Sequence, residues 1–402
     1  MTTPTPDPDP QSDIPANFEI CGHELAPGST RDIAVPVTTM ATGYNSTLAV
    51  RALHGSKPGP VMFVSAAIHG DEIIGTAIIQ RIAAQLDPAA LAGTVLLVPV
   101  ANIFGFLNKT RYLPDRRDLN RSFPGNANGS LASQFAHAFF TEVVQRSTIG
   151  IDIHSAAVHR YNLPQIRIAA GDPHLIELAT AFGPPIIIEA PLREGSMRAL
   201  AKLAGVDMLL METGEALRFD RLSIETGVAG IFSVMARLGM IDPHDALAEA
   251  LANGGEPAKA TSSVWVRAPR GGVTHRVRKS GDPVRIGDVL ATVGGLFGED
   301  EVAIVSPTDG IIIGHATLPV VYQGDALFHI ARLARPEAAS EEIEAIADAI
   351  LAADGFVLDP EEELDPEPDD EEGAGEVRPA PGAGPKPIDE EGGPLLDEDE
   401  II

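Results

Sequence analysis

The sequence predicts an α/β fold: a mixed, mostly parallel sheet flanked by helices, followed by a smaller C-terminal β-barrel or sandwich domain. Three observations carry that prediction. From about 45 to 240, short apolar runs alternate with helical stretches, the pattern of a parallel sheet covered by helices. Beyond 263 the helical signal stops and turn residues become dense. That second stretch also repeats itself, which points to a pseudo-symmetric β module.

Taken in order, residues 1–16 ("MTTPTPDPDPQSDIPA") are rich in proline and acid and too poor in apolar residues to offset chain entropy, so a disordered lead is expected. An α/β domain is expected over 17–251. Its strands read as "PVMFVSAA", "TVLLVPVAN", "IGIDIH", "PPIIIEA" and "VDMLLME". Its helices read as "DEIIGTAIIQRIAAQL", "ASQFAHAFFTEVV" and a long segment near 218–239. The small-residue run 252–263 reads as a linker.

Over 264–333 the two copies of a strand-turn-strand unit can be aligned: Pro269 with Pro307, Gly272 with Gly310, and Gly287-Asp288 with Gly324-Asp325. They resemble the halves of a biotinyl/lipoyl-type barrel, without the hairpin-tip lysine that carries a cofactor there, so a structural role is expected. A closing helix is expected within 334–353 ("EEIEAIADAILAA"), and 354–402 reads as an acidic disordered tail.

The net charge is −28, but from Asp354 onward nineteen acids face two bases, which leaves −11 upstream. An acidic body repels a phosphate backbone, so neither nucleic acid nor an anionic membrane is expected as a partner. No apolar run approaches the roughly 20 residues that cross a bilayer. The N-terminus lacks the basic start and hydrophobic stretch of a secretory signal, and a single cysteine, Cys21, suits a reducing compartment, so a cytoplasmic location is expected. An oligomer is left open.

The chemistry is expected beyond the carboxyl ends of the parallel strands, where open α/β sheets bind ligands. "PVMFVSAA" delivers His69 just past its end, and Glu72 is expected in the first turn of the next helix. His-x-x-Glu supplies two of the three protein ligands that a catalytic zinc keeps beside one open position. His154, at the end of "IGIDIH", is the expected third. Either histidine alone is more simply a hydrogen-bonded strand end; together with Glu72 they point to a metal, one zinc per chain. His137 and His159 are weaker candidates, the latter at best a substrate contact.

A metal-activated water needs a proton acceptor. Glu212 ends the apolar strand "VDMLLME" and is expected to be buried there; Glu215, beyond Gly214, is the rival and is expected to be exposed. The loop "KTRYLPDRRDLNRSFPGN" gathers Arg111, Arg116, Arg117 and Arg121 in an otherwise acidic protein, which implies an anionic substrate group, because guanidinium groups bind carboxylates bidentately. Arg193 in "PLREGS" is a further candidate without a motif.

"HGDE", "DLNRSFPG", "DIHS" and "METG", in that order, resemble the succinylglutamate desuccinylase and aspartoacylase family, zinc enzymes related in fold to the metallocarboxypeptidases. The resemblance covers about 45–330. It implies a zinc carboxypeptidase-like fold, His69, Glu72 and His154 as zinc ligands, and Glu212 as general base and acid. Arg111 resembles the arginine that polarises the scissile carbonyl, Asn120 and Arg121 the pair that grips the substrate carboxylate, and Asp118 the acid that orients a zinc histidine.

The function expected is zinc-dependent amide hydrolysis of a small N-acyl amino acid or N-acyl amine, by metal-activated water with Glu212 as base. Two rivals are a metallocarboxypeptidase acting on peptides and a non-catalytic scaffold with a vestigial zinc site.

Overall fold

Strands buried on both faces read as unbroken apolar runs, and the chain supplies several in succession. In the computed structural model, which describes residues 15–243 and 256–352, these runs form the middle of one large sheet. Most of the expected N-terminal lead, the start of the linker and the acidic tail lie outside the described residues.

A short pair, β1 (Phe18–Ile20) and β2 (His23–Leu25), leads into β3 (Ser29–Thr39) and β4 (Asn45–His54). Both long strands alternate buried and exposed residues along much of their length, as strands with one wet face do. Then follow β5 (Lys57–Ala66), α1 (Ile74–Gln85), β6 (Ala92–Val98), α2 (Ile103–Asn108), α3 (Leu131–Glu142) and β7 (Ile149–Ala156). The domain continues through β8 (Arg160–Ala169), α4 (Pro173–Phe182), β9 (Ile186–Ala190), α5 (Met197–Leu203), β10 (Asp207–Glu215) and α6 (Arg221–Arg237).

α1 presents Ile74, Ile78 and Ile82 four residues apart, which puts them on one buried stripe. α6 packs close to two neighbours because it carries glycine where they touch. A Cβ at Gly227 would lie 2.5 Å from Ile78 of α1, and one at Gly230 2.2 Å from Phe182 of α4.

The remaining elements are β11 (Ala258–Ala260), β12 (Ser263–Arg267), β13 (Gly272–Arg276), β14 (Pro283–Val284), β15 (Val289–Gly294), β16 (Val302–Val305), β17 (Gly310–Ala316), β18 (Val320–Val321), β19 (Ala326–Arg332) and α7 (Pro336–Ala352). The thirteen-stranded sheet runs β12-β19-β17-β8-β10-β7-β5-β6-β4-β3, with β14 on β17 and β9 between β8 and β11. β6, β5, β7 and β10 are parallel neighbours, so their carboxyl ends share one edge.

The repeat region is a sandwich. β16-β15-β13-β18 form its second sheet, and Val266, Leu290, Val293, Ile304, Ile312 and Phe328 fill the space between the layers. Its other sheet is continuous with that of the α/β domain, because β17 pairs with β8.

The linker expected at 252–263 needs correction where it is described. Residues 258–260 are β11, which adds to β9 in parallel. Ala258 and Ala260 are small because they pack against Ile186, Ile188 and Ala339, not because the segment must bend. Burying each of those isoleucines contributes about 1.5–3 kcal/mol.

Candidate metal centre

His69, Glu72 and His154 meet at the shared carboxyl edge. Three residues past β5, the His69 Nδ1 lies 2.7 Å from Glu72 Oε1, and the His154 Nδ1 lies 2.8 Å from Glu72 Oε2. All three residues are buried, and a ligand atom from each lies within 4.8 Å of the others. Glu72 stands in the tight turn before α1, its N–H bonded to His69 O, and not in the helix; the helix begins at Ile74. His154 lies inside β7, two residues short of its end.

Local backbone explains why the turn fits. Ala67, at φ 50, turns the chain out of β5 and its carbonyl accepts from Asn102 N. Gly70 then lies against α2 so closely that a Cβ would meet Gly105 C at 1.9 Å, so only glycine is accommodated. Gly70 N also donates to Arg111 O, which brings the arginine loop to the ligands.

Each imidazole has an acid on its other nitrogen. His69 Nε2 lies 3.2 Å from Asp118 Oδ1, and His154 Nε2 lies 2.8 Å from Asp152 Oδ2, whose Oδ1 accepts from Ser65 Oγ. Arg111 donates to Glu72 Oε1 at 3.3 Å and to Asp118 Oδ2 at 3.0 Å. Burial opposes charge on both histidines, but Asp152 and Glu72 hold His154 well above its ordinary value, and Glu72 and Asp118 raise His69. Burial and the Glu72 charge push Asp71 up to about 6. The cluster is therefore acid-rich and buried and favours added positive charge. Two imidazole nitrogens and a carboxylate facing one point suit a divalent ion of zinc's type.

Glu212 arrives from the next strand, in register with His154 across β10 and β7. It is half-buried where full burial was expected, and its Oε2 accepts from Asn162 Nδ2 at 3.0 Å. The rival Glu215 is half-buried rather than exposed, and its Oε1 accepts from His159 N and Thr317 Oγ1, a contact with the sandwich.

Asn120 is buried in a short 3-10 turn at Leu119–Arg121, and its Oδ1 accepts from Met197 N at the start of α5. Arg121 donates to Asn120 O. Burial lowers Arg193 most, and the nearby charges of Arg121, Arg167 and Arg111 lower it further. Burial and Arg167 likewise lower Arg198 to about 10, with Glu212 the acid that opposes them. His137 sits on α3, apart from the converging ligand atoms.

Sequence reasoning missed Asp152, Asn162, Arg167 and Arg198. Asp152 had a signal: it precedes His154 by two residues in a strand, so both side chains share a face. Arg167, alone between isoleucines on a buried strand, was also visible as an oddity.

Residues 58–238 match the family described as succinylglutamate desuccinylase/aspartoacylase catalytic domain. Just under half of the chain thus resembles that catalytic domain. That family's enzymes are deacylating amidohydrolases. The chain is 25% identical over 295 residues to the N-alpha-acetyl-L-2,4-diaminobutyric acid deacetylase of Halomonas elongata, covering 68% of this chain and 83% of the relative. Its fold is similar to the product-bound ectoine utilization protein EutE (DoeB) from Ruegeria pomeroyi, with a TM-score of 0.68 and 20% identity over 80% of this chain and 100% of that one. It is equally similar to the Rhodobacter sphaeroides succinylglutamate desuccinylase/aspartoacylase, with a TM-score of 0.67 and 23% identity over 80% and 99% of the two chains. No helix among the described residues is long and apolar enough to cross a membrane.

Proposed function

We propose that the protein is a zinc-dependent deacylase that removes the acyl group from a small N-acyl amino acid or N-acyl amine. One observation carries the reading: His69 and Glu72 from the turn after β5 and His154 from β7 converge within 4.8 Å, with Glu212 in register beside His154. His69, Glu72 and His154 would hold the ion through Nδ1, a carboxylate oxygen and Nδ1. When bound, zinc supplies Lewis acidity that polarises the acyl carbonyl and lowers the pKa of a water to about 7.

The chain's own groups account for the rest. Asp118 and Asp152 hold the two imidazoles so that Nδ1 of each points at the common centre, as acids behind metal histidines do. The Glu212 carboxylate takes a proton from water as its oxygen attacks the acyl carbon. When the C–N bond breaks, Glu212 passes that proton to the departing nitrogen. Arg111, already aimed at the ligands, donates to the oxygen that gains negative charge. Arg121 and Arg193 provide the positive charge, and Asn120 a neutral carboxamide beside them, that receive a substrate carboxylate.

The test is a panel of N-acyl amino acids, N-acyl diamines and short peptides offered to the zinc-loaded chain, read as amine release. Release from the small acyl compounds and not from peptides is expected. Preferential trimming of peptides would replace the deacylase reading with a carboxypeptidase, and a chain that neither retains zinc nor releases amine would leave a scaffold.

A further inference from the structure

β8 is hydrogen-bonded on one side to β10 and on the other to β17, and at Asn162 both partners are glycines, Gly214 and Gly314. Asn162 is buried, and its Nδ2 donates to Glu212 Oε2 at 3.0 Å. The register between β8 and β10 shifts between Glu212 and Gly214, and such a bulge re-aims side chains. It is Asn162 that reaches Glu212, although Gln165 stands opposite it in the ladder.

The sandwich makes room for that carboxamide. A Cβ on Gly314 would lie 2.7 Å from Asn162 Oδ1 and 3.2 Å from Tyr161 O. Next to it, Thr317 N donates to His159 O at 2.8 Å, and Glu215 receives both His159 N and Thr317 Oγ1. β17 is thus fastened to the end of β8 that carries Asn162.

We propose that Asn162 is a positioning residue for Glu212 and that the C-terminal sandwich, through Gly314 of β17, seats its carboxamide, so that the active site is incomplete without the sandwich. The proposal rests on the deacylase reading, in which Glu212 moves the proton. A carboxylate with that task needs one oxygen aimed at the reacting atoms. A neutral donor on Oε2 fixes the carboxylate plane and leaves Oε1 to take and return the proton, without tying it into an ion pair.

The experiment uses the full, zinc-loaded chain. Asn162→Ala should lower kcat by about 10- to 100-fold, the loss of a hydrogen bond to a charged group, with KM within about twofold and zinc content unchanged. In a Glu212→Gln background the same substitution should add nothing. Gly314→Ala should lower kcat with Asn162 present and add nothing once Asn162 is alanine. An unchanged kcat for Asn162→Ala, or losses that multiply in the double variants, overturns the proposal.

Thermal midpoints provide an arm that needs no turnover. Gly314→Ala should lower the midpoint and Asn162→Ala should restore part of it, because the methyl then has space; two independent, additive decreases overturn the seating by β17. A wild-type chain that releases no amine from any compound removes the deacylase reading itself, and the thermal arm then decides the Gly314–Asn162 contact alone.

Discussion

Asp152 shows how much of the candidate metal centre lies behind its three converging residues. Its Oδ2 meets His154 Nε2 at 2.8 Å while Ser65 holds the other oxygen, so the ring cannot turn without losing a buried hydrogen bond. Asp152→Asn should weaken zinc affinity by about 10- to 100-fold in a chelator competition; equal affinity would show that the carboxylate does not orient the ring. Glu212 should behave oppositely. Glu212→Gln keeps the shape and removes the proton acceptor, so zinc content should stay the same while kcat falls by about 100-fold or more. Near-normal turnover would remove Glu212 from the proton path. That His69, Glu72 and His154 would meet was legible in the sequence, because buried strands on either side bring both imidazoles to the same edge of the sheet as the acid. Asn162 was not, since its contact with Glu212 depends on a bulge and on an absent side chain at residue 314 of a distant repeat.

The strands that escaped pattern reading did so for physical reasons. β8 holds Asn162, Pro164, Gln165 and Arg167 among its apolar residues, so it has neither the unbroken run nor the clean alternation of the strands that were found. β3 and β4 are long and amphipathic, and their many exposed polar positions dilute the apolar signal. β11 was taken for linker because alanine is common in both settings. Of the helices, α1, α3, α6 and α7 were read and differ from their expected limits only at the ends, where boundaries are least constrained, whereas α2, α4 and α5 were not read. α1 also shows what its first turn must be. A Cβ at Gly75 would lie 2.5 Å from Ala66 Cβ and 2.9 Å from Ile153 Cβ, so α1 rests directly on β5 and β7. Gly75→Val should therefore cost about 1–3 kcal/mol in denaturant unfolding and should also loosen zinc, because lifting α1 moves Glu72. A variant that is destabilised yet binds zinc as before would uncouple the helix from the ligand turn.

The sandwich brings its own pH dependence. Burial, with Arg276 nearby, pulls His315 down to about 4, and burial with Arg167 nearby pulls His329 down to about 3. Ser280 contacts the first ring, and Ser263 and Trp265 the second. Both histidines start from 6.5. Below that pH the unfolded chain binds protons that the folded one refuses, so their stabilisation is complete above 6.5 and is lost as pH falls toward 4 and then 3. For the fully enclosed His329 the slope reaches up to about 1.4 kcal/mol per pH unit. Denaturant midpoints at pH 7 and pH 5 should differ less in His329→Gln than in the parent; an unchanged difference would place the acid sensitivity elsewhere. The fold class was legible as a whole, including the repeat, but the union of its two halves was not, since sequence does not say which strands will lie side by side. That union has a practical consequence. Cutting the chain after α6 would strip β17 from β8 and β11 from β9, baring two rows of amide and carbonyl groups along cut margins. Such margins recruit other molecules edge to edge, so a trimmed fragment would clump rather than serve as a minimal enzyme.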